Sequence, residues 1–299
     1  MTTHTWFITG SSRGFGRSLT IAAVEVGDRV VATARTPAQL GDLVEQYGDR
    51  ILAIPLDVTD AAAAASAFDA AVRRFGRVDV VVNNAGYANV APVETAPEED
   101  VRRQFETNFW GVYNVSKAAL PVLKAQAEGT IVQFSSIGGR VGFGAGLGAY
   151  QAAKFAVDGL TRVLAAETGP LGLRYLVVEP GGFATDWAGA SMEIQPVPEE
   201  YQATVGAFPD HVSSGRTSAG DPQRAAEIIV RVVKHTSPPS HLLLGAAAAQ
   251  MAIAYSENQI AEATAWQEVS ASADFGAPYP IELPLPGNAR QHDTERSAG

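Results

Sequence analysis

The stretch Thr9-Gly10-Ser11-Ser12-Arg13-Gly14-Phe15-Gly16 decides the fold. It follows the apolar run Trp6-Phe7-Ile8 and precedes the apolar residues 19–23, so a glycine-rich turn joins a predicted strand to a predicted helix. Glycine allows a tight turn and close approach of a ligand, and the free N–H groups of a helix N-terminus attract anions. The pattern predicts a nucleotide phosphate site, although ordinary strand–helix turns also carry glycines. The glycine spacing differs from the general dinucleotide fingerprint and indicates a particular branch of that fold.

Composition narrows the class of protein. The 299 residues are 46% hydrophobic and 18% charged, enough for a sizeable core in one large or two small α/β domains. A net charge of -10 argues against a nucleic-acid partner. The chain has no cysteine, and no two of its five histidines lie four residues apart, so we expect no metal site. The sequence shows no signal peptide and no apolar run long enough for a membrane span, which predicts cytoplasmic residence.

Apolar, β-branched runs alternate with helical stretches along the chain. The predicted strands are residues 5–9, 29–34, 51–56, 78–82, 130–134, 173–178 and 241–244. The predicted helices are residues 16–26, 37–47, 60–75, 97–127 with a bend near Gly111, 149–168 and 222–235. This alternation predicts an α/β fold, a doubly wound parallel sheet of about seven strands with helices on both faces.

Two segments stand apart from this alternation. Residues 183–218 are rich in Gly, Pro and Ser yet carry large apolar side chains, among them Trp187 and Met192. A satellite core cluster and a lid over a pocket are both consistent with this composition, and the position after the sixth strand favours the lid. Prolines and polar residues predict an extended or disordered tail over 273–299, which leaves residues 1–272 as a single catalytic domain.

Three groups of polar residues stand out, one within a predicted helix and two at the ends of predicted strands. Tyr150 and Lys154 lie one helical turn apart, so the ammonium is expected to lower the phenol pKa from about 10. Such pairs also occur on ordinary helix surfaces. Ser135 and Ser136 end the fifth strand, where ligands bind in open α/β sheets, although serines also cap turns. The run Asn83-Asn84-Ala85-Gly86 ends the fourth strand in the same way.

Together these motifs resemble the short-chain dehydrogenase/reductase family. The matching positions, in the family's order, are residues 9–16, Asp57-Val58, Asn83 to Gly86, Asn108, Ser136, Tyr150 with Lys154, and residues 180–185. The resemblance implies a single-domain Rossmann-type sheet, a nicotinamide cofactor, and a homodimer or homotetramer. Residues 135–143 and the helical segment 245–270 resemble the branch that contains 17β-hydroxysteroid and retinol dehydrogenases.

The resemblance also implies roles for individual residues. Tyr150 is the expected acid/base, Ser136 binds the substrate oxygen, Lys154 tunes Tyr150 and holds the nicotinamide ribose, and Asn108 positions a relay water. Residues expected to contact the cofactor are Gly10, Ser12, Arg13, Phe15, Gly16, Arg35, Asp57, Val58, Asn84, Ala85, Gly86, Tyr150, Lys154, Pro180, Gly181, Phe183 and Thr185. The interval from Ser136 to Tyr150 is one residue longer than is usual in the family, which we attribute to an extra residue in the glycine-rich stretch 142–148.

The residues at the end of the second predicted strand indicate which cofactor is preferred. An acidic residue there accepts hydrogen bonds from the ribose hydroxyls of NAD(H), but this strand ends Ala34-Arg35 without a carboxylate. Arg13 and Arg35 are suited to a 2′-phosphate, since guanidinium groups make bidentate bonds to phosphate. Two solvated surface arginines are the alternative. The sequence therefore favours NADP(H) over NAD(H).

The predicted function is interconversion of a carbonyl and an alcohol on a fairly apolar ketone, aldehyde or alcohol. The predicted pocket residues are Val90, Phe143, Leu147, Trp187 and Met192. A cofactor-sensing binding protein with little turnover is the alternative from another class, although this chain retains all four catalytic positions. An interaction module built on the proline-rich tail is a third reading.

Overall fold

The computed structural model describes residues 3–142, 144–185, 187, 192–208 and 220–284. The chain divides into two compact units, Met1–Ala248 and Ala249–Gly299. The first unit carries the sheet and the predicted site residues. The predicted division between a domain of residues 1–272 and a tail of 273–299 stays a prediction, and residues 285–299 lie outside the described part of the chain.

One sheet forms the centre of the first unit. Its strands are β1 Thr5–Ile8, β2 Arg29–Ala34, β3 Ile51–Pro55, β4 Val80–Asn83, β5 Gly129–Phe134, β6 Leu173–Pro180 and β7 His241–Leu244. They are ordered β3-β2-β1-β4-β5-β6-β7, and every neighbouring pair is parallel. The predicted α/β fold with a seven-stranded parallel sheet is confirmed.

Helices connect these strands. They are α1 Gly14–Glu25, α2 Gly41–Tyr47, α3 Ala61–Phe75, α4 Glu98–Phe105, α5 Gly111–Gln126, α6 Gly138–Val141, α7 Gly148–Thr168 and α8 Pro222–Val233. Two further helices, α9 Ala246–Ala265 and α10 Gln267–Ala271, follow β7. Over the ranges described, none of the helices has the length and apolarity needed to cross a bilayer.

The first strand shows why the sheet is buried on both faces. Trp6, Phe7 and Ile8 are all fully buried, although successive residues of a strand point to opposite faces. Trp6 and Ile8 belong to the cluster that contains residues of α1 and α8, whereas Phe7 belongs to the cluster that contains residues of α3 and α5. On that second face, Phe7 stacks on Phe68 with ring centres 4.2 Å apart. Continuous apolar strands are typical of parallel sheets covered by helices on both sides.

The predicted helix over residues 97–127 is interrupted. Between α4 and α5, residues Glu106–Trp110 form one turn of π-helix, so the irregular turn lies before Gly111. A Cβ atom at Gly111 would lie 2.5 Å from Cγ2 of Val58. Glycine at this position thus lets the start of α5 pack against the loop that follows β3.

Candidate active site

The carboxyl ends of the strands line a cleft of about 1160 Å³. The predicted residues that line it are Gly10, Ser12, Arg13, Phe15, Arg35, Asp57, Val58, Asn84, Ala85, Gly86, Ser136, Tyr150, Lys154, Pro180, Gly181, Phe183, Thr185 and Trp187. The fold therefore brings most of the predicted site residues, which are scattered over the sequence, into one cleft. Gly16 and Asn108 are buried and do not line it. Phe143 lies outside the described residues.

The glycine-rich turn is built for close backbone contact. A Cβ atom at Gly16 would lie 2.2 Å from the carbonyl oxygen of Gly10 and 2.5 Å from Nδ2 of Asn84. Gly10 and Gly14 have φ angles of +68° and +53°, a region that favours glycine. Helix α1 starts at Gly14 with no acidic residue in its first turn. The helix dipole and free N–H groups at this wall of the cleft suit a phosphate.

Thr9 and Asn84 tie the glycine-rich turn to the loop that follows β4. The Thr9 hydroxyl accepts hydrogen bonds from the N–H groups of Asn84 and Ala85, both at 3.0 Å. The Asn84 amide donates to the carbonyl oxygens of Thr9 at 2.9 Å and Gly10 at 3.2 Å. Asn84 thus shapes the turn on which a cofactor would rest.

Arg13 and Arg35 are held at the same end of the cleft. The N–H group of Ser11 donates to the carbonyl oxygen of Thr33 at 2.9 Å, which joins the glycine-rich turn to the end of β2. Arg13 lies two positions after Ser11, and Arg35 lies two positions after Thr33. Both arginines are exposed and line the cleft. Neither guanidinium forms an ion pair with any residue that the structure describes.

The neighbouring wall carries Asp57 and Val58. The Asp57 carboxylate accepts hydrogen bonds from the N–H and hydroxyl groups of Thr59, at 3.0 and 2.8 Å. Val58 is buried against Gly111. This loop is therefore braced from both sides, and both residues line the part of the cleft that the resemblance assigns to adenine.

Tyr150 lies in the first turn of α7 and is buried. Burial raises the pKa of Tyr150 to about 12, and a hydrogen bond with Ser136 opposes that rise only in part. The expectation that Lys154 lowers this pKa below its ordinary value is wrong for the structure described. The reason is that the loss of hydration of the phenolate outweighs its favourable contacts.

Lys154 is buried beside Tyr150. Its Nζ atom donates to the carbonyl oxygen of Phe134 at 2.6 Å and lies 5.6 Å from the centre of the Tyr150 ring. Burial lowers the pKa of Lys154 to about 8. Lys154 thus lies at the wall of the cleft and holds its proton less tightly than a lysine in water.

The two adjacent serines have different surroundings. The Ser135 hydroxyl donates to the backbone carbonyl of Lys154 at 3.2 Å, and a Cβ atom at Gly139 would lie only 2.4 Å from it. The Ser136 hydroxyl accepts from the N–H group of Gly138 at 3.1 Å and lies close enough to Tyr150 to lower the pKa of its phenol in part. This arrangement favours Ser136 as the serine that contacts substrate.

Asn108 lies in the π-helical turn and is fully buried. Its amide donates to the carbonyl oxygens of Tyr87 at 2.8 Å and Gln104 at 2.9 Å, and its Oδ1 atom accepts from the N–H group of Tyr87. A Cβ atom at Gly86 would lie 2.5 Å from Oδ1 of Asn108 and 3.6 Å from Nζ of Lys154. Asn108 therefore fixes the loop beside Lys154, while its expected role in holding a water stays a prediction.

The predicted pocket residues form an apolar cluster beside Tyr150. Val90 and Leu147 are buried in it with Ala88, Tyr150 and Val205, and neither lines the cleft. Other members packed against this cluster are Trp187, Met192, Val197, Tyr201 and Phe208. The described lid residues 187 and 192–208 thus contribute to the satellite cluster that was the alternative interpretation, whereas Phe183 packs against the main core. The remaining lid residues, 186, 188–191 and 209–218, lie outside the described ranges.

A short strand-like contact anchors part of this segment. The N–H group of Val90 donates to the carbonyl oxygen of Glu193 at 2.8 Å. The N–H group of Gln195 donates to the carbonyl oxygen of Val90 at 2.9 Å. The side chain of Asn89 accepts from the N–H group of Glu193 at 3.0 Å. Residues 193–195 are therefore fixed to the loop that follows β4.

Polar residues that the sequence did not single out also line the cleft. They include Tyr87, Asn89, Arg103 and Glu193. Tyr87 and Asn89 follow directly on Gly86, so their position after a strand end was a usable signal. Arg103 and Glu193 carry no local signal, because only the tertiary fold brings them to the cleft. Across the described chain, no group of three or more acidic or histidine side chains is placed to hold a metal ion.

Comparison with known proteins identifies the family. A family model described as short chain dehydrogenase matches residues 4–195. The chain is 47% identical over 270 residues to oxidoreductase BOA17 of Botryotinia fuckeliana (strain B05.10), covering 90% of this chain and 98% of that protein. The chain belongs to the short-chain dehydrogenase/reductase family.

Solved structures of similar proteins agree with this family. A short-chain dehydrogenase from Streptomyces avermitilis superposes with a TM-score of 0.85 and 37% identity, covering 91% of this chain and 99% of that one. An alcohol dehydrogenase from Thermococcus sibiricus, complexed with 5-hydroxy-NADP, gives a TM-score of 0.67 and 26% identity, covering 81% and 96%. The short-chain dehydrogenase/reductase fold binds a nicotinamide dinucleotide, and the relatives named as oxidoreductases support a dehydrogenase or reductase role.

Proposed function

We propose that the protein is an NADP(H)-dependent oxidoreductase that interconverts a carbonyl and an alcohol. One observation carries the proposal: Ser136, Tyr150 and Lys154 line the same cleft as the glycine-rich turn. The glycine-rich turn would hold the phosphates of a bound nicotinamide cofactor, and the three side chains would lie in the cleft that receives it. This arrangement supports hydride transfer at the end of the cleft near Tyr150.

The preference for NADP(H) rests on charge at the adenosine end. Arg13 and Arg35 are exposed and line the cleft, and the backbone hydrogen bond between Ser11 and Thr33 joins the two segments that carry them. Two guanidinium groups that form no ion pair with any described residue suit a 2′-phosphate better than a ribose hydroxyl. The structural relative that binds an NADP derivative is consistent with this preference.

In the proposed reaction the cofactor transfers the hydride and the protein transfers the proton. When bound, the nicotinamide supplies the hydride, and with it two electrons, to the carbonyl carbon or accepts them from the alcohol. In reduction, Tyr150 gives its phenolic proton to the carbonyl oxygen, and Ser136 donates a hydrogen bond to the same oxygen. Burial raises the pKa of Tyr150 to about 12, which keeps the phenol protonated at neutral pH and suits a proton donor. Lys154 supplies positive charge beside the phenolate as it forms.

The apolar cluster around Val90 and Leu147 supports a substrate with a fairly apolar body.

We also propose a homodimer or homotetramer that pairs through α5 and α7. Three large apolar side chains at or near these helices, Trp110, Phe155 and Val163, are exposed to 46%, 42% and 54%. Light scattering on the purified protein tests this assembly, and a mass equal to one chain of 31.3 kDa contradicts it.

A substrate screen tests the proposed function. NADPH oxidation is followed with a panel of ketones, aldehydes, steroids and retinoids, and the reverse reaction with the matching alcohols. We expect turnover of at least one class by the wild type and a loss of about 100-fold or more in Tyr150→Phe, because that variant lacks the transferable proton. A protein that binds NADPH tightly but turns over none of these compounds supports the cofactor-sensing alternative instead.

A further inference from the structure

Both the side chain and the backbone of Lys154 are hydrogen-bonded to the residues at the end of β5. The Nζ atom of Lys154 donates to the carbonyl oxygen of Phe134 at 2.6 Å. The backbone carbonyl of Lys154 accepts from the hydroxyl group of Ser135 at 3.2 Å. Phe134 and Ser135 are consecutive residues, so one short piece of chain holds the lysine at both of its ends.

The bond from Ser135 is not needed to satisfy the carbonyl group of Lys154. Lys154 lies inside α7, Gly148–Thr168, where a backbone carbonyl accepts from the N–H group four residues later. The Ser135 hydroxyl is therefore an additional donor that joins the helix to the sheet. Because its removal leaves no buried acceptor without a donor, we expect the fold to tolerate the loss of this hydroxyl.

Ser135 is itself held firmly. It is 4% exposed, and its N–H group donates to the carbonyl oxygen of Val178 on β6 at 2.9 Å. A Cβ atom at Gly139 would lie 2.4 Å from Oγ of Ser135 and 2.8 Å from Cβ of Lys154. The backbone of Gly139 thus packs closely against both the serine and the lysine. The hydroxyl group of Ser135 has little freedom to move away from the helix.

The place of the Lys154 ammonium depends on these neutral contacts. Among the described residues, no ion pair includes Lys154. Its Nζ atom lies 5.6 Å from the centre of the Tyr150 ring. A shift of this turn of α7 away from β5 would therefore change the distance between the ammonium and Tyr150, with no carboxylate to oppose the change.

We propose that Ser135 is a positioning residue: its hydroxyl group holds the backbone of Lys154 so that the ammonium stays beside Tyr150. The inference rests on the proposed function, in which Lys154 supplies positive charge near the phenolate. It gives the two adjacent serines separate roles. Ser136 is placed to contact substrate, and Ser135 acts through Lys154.

A titration of Lys154 tests the proposal without substrate. The chain has four lysines, so a ¹H–¹³C spectrum of protein labelled at lysine Cε contains few signals, and the signal absent from Lys154→Met identifies Lys154. Its pKa is measured in the wild type, in Ser135→Ala and in Thr161→Val. Thr161 is 3% exposed and donates its hydroxyl to the carbonyl oxygen of Val157 at 2.6 Å. Thr161→Val is the matched control, because it also removes a buried hydroxyl bonded to a carbonyl of α7.

In the wild type we expect a Lys154 pKa of about 8, because the residue is buried. In Ser135→Ala the helix turn is released from β5 and water reaches the ammonium. The acid dissociation constant of Lys154 is then expected to fall at least about threefold, as the pKa rises toward its ordinary value. Thr161→Val is expected to keep the wild-type value. An unchanged pKa in Ser135→Ala overturns the proposal, and so does an equal rise in Thr161→Val.

Turnover provides a second measurement once the screen has identified a substrate. In Ser135→Ala we expect kcat to fall about tenfold and its pH dependence to move in the same direction as the Lys154 pKa, because the charge beside the phenolate is displaced. Ser135 lines the cleft, so the dissociation constant of NADPH is measured as well. Weaker NADPH binding with an unchanged Lys154 pKa assigns the hydroxyl to the cofactor and overturns the proposal. If no carbonyl is reduced, the proposed function fails, and the lysine titration still decides whether Ser135 positions Lys154.

Discussion

Arg140 and Glu179 form a bidentate ion pair between the turn that follows β5 and the last residues of β6. Nε of Arg140 lies 3.0 Å from both carboxylate oxygens, and Nη2 lies 2.8 Å from Oε2. The Glu179 side chain is 2% exposed. Beside this pair, the N–H group of Ile137 donates to the carbonyl oxygen of Pro180 at 3.0 Å. The pair therefore fixes the segment that carries Ser136 against the end of β6, where Pro180 lines the cleft.

Removing one partner of this ion pair is expected to destabilise the fold strongly. Arg140→Leu leaves the Glu179 carboxylate buried without its counter-ion, at a cost of about 3–5 kcal/mol in the free energy of unfolding. The double variant Arg140→Leu, Glu179→Leu removes both charges and is expected to recover most of that loss. Denaturant unfolding of the single and double variants measures both effects.

The control for this prediction is an exposed ion pair. Arg102 and Glu98 are four residues apart on α4, with side chains 74% and 76% exposed. Arg102→Leu is expected to change the free energy of unfolding by less than about 1 kcal/mol. If Arg140→Leu and Arg102→Leu lower the free energy of unfolding equally, burial does not strengthen the dependence on the Arg140–Glu179 pair.

Gly16→Ala is expected to damage the glycine-rich turn. Its methyl group would lie 2.2 Å from a backbone oxygen, which cannot move without shifting the turn. We expect a loss of at least about 2 kcal/mol in the free energy of unfolding and a large loss of NADPH affinity. Gly41→Ala in α2 is the control, because its methyl group meets no atom within 4 Å. That variant is expected to gain roughly 0.5–1 kcal/mol, since alanine favours helix more than glycine does.

The buried Lys154 predicts a specific dependence of stability on pH. Burial lowers the pKa of Lys154 from 10.5 to about 8, so between these values the unfolded chain binds the proton more tightly than the folded protein. The free energy of unfolding contributed by this group therefore rises with pH from about 8 to 10.5, by an amount on the order of 3 kcal/mol. Burial raises the pKa of Tyr150 from 10.0 to about 12, and its contribution falls from about pH 10 upward.

Comparison with Lys154→Met isolates the lysine. Unfolding measured at pH 7.5 and 9.5 is expected to show a smaller increase, or a larger decrease, in Lys154→Met than in the wild type. Lys117→Met replaces an exposed lysine of α5 and is expected to follow the wild type. If Lys154→Met and the wild type differ by the same free energy at both pH values, the lysine is not perturbed by burial.

Arg13 and Arg35 are expected to determine the preference for NADPH over NADH. Replacing them by Arg13→Ser and Arg35→Asp removes two partners of a 2′-phosphate and adds an acceptor for a ribose hydroxyl. The ratio of the NADH to the NADPH dissociation constant is expected to fall at least about 100-fold in the double variant, as measured by cofactor fluorescence. Arg73→Ser replaces an exposed arginine of α3 and serves as the control. A double variant that keeps the wild-type preference rules out the 2′-phosphate site.

The sequence predicts the sheet well because parallel strands are local, continuous apolar runs. The strand bounds agree with the structure to within a few residues, including the short edge strand His241–Leu244. Residues at strand ends, such as Ser136 and Asn84, were also predictable, since the carboxyl ends of parallel strands share one edge of the sheet. The π-helical turn at Glu106–Trp110 was not predictable in detail, because one extra residue per turn leaves little trace in the apolar pattern.

The surroundings of the site residues were harder to infer. The direction of the Tyr150 pKa depends on how deeply the phenol is buried, which the spacing to Lys154 does not reveal. Val90 and Leu147 were expected in the wall of the pocket, but the structure packs them in the cluster behind it. Arg103 reaches the cleft from a helix whose sequence looks like an ordinary solvated surface.

The π-helical turn makes the length of one helix part of the active site. Each helical residue advances the chain by about 100°, so deleting a single residue from this turn would restore a regular helix and rotate one half against the other. Asn108 would then lose its hydrogen bond to Tyr87 and its close contact with Gly86, although no side chain of the site had been replaced. Substitution scanning cannot expose such a dependence, whereas single-residue deletions along α4 can. In this part of the fold, the number of residues in the chain constrains the active site as well as the identity of their side chains.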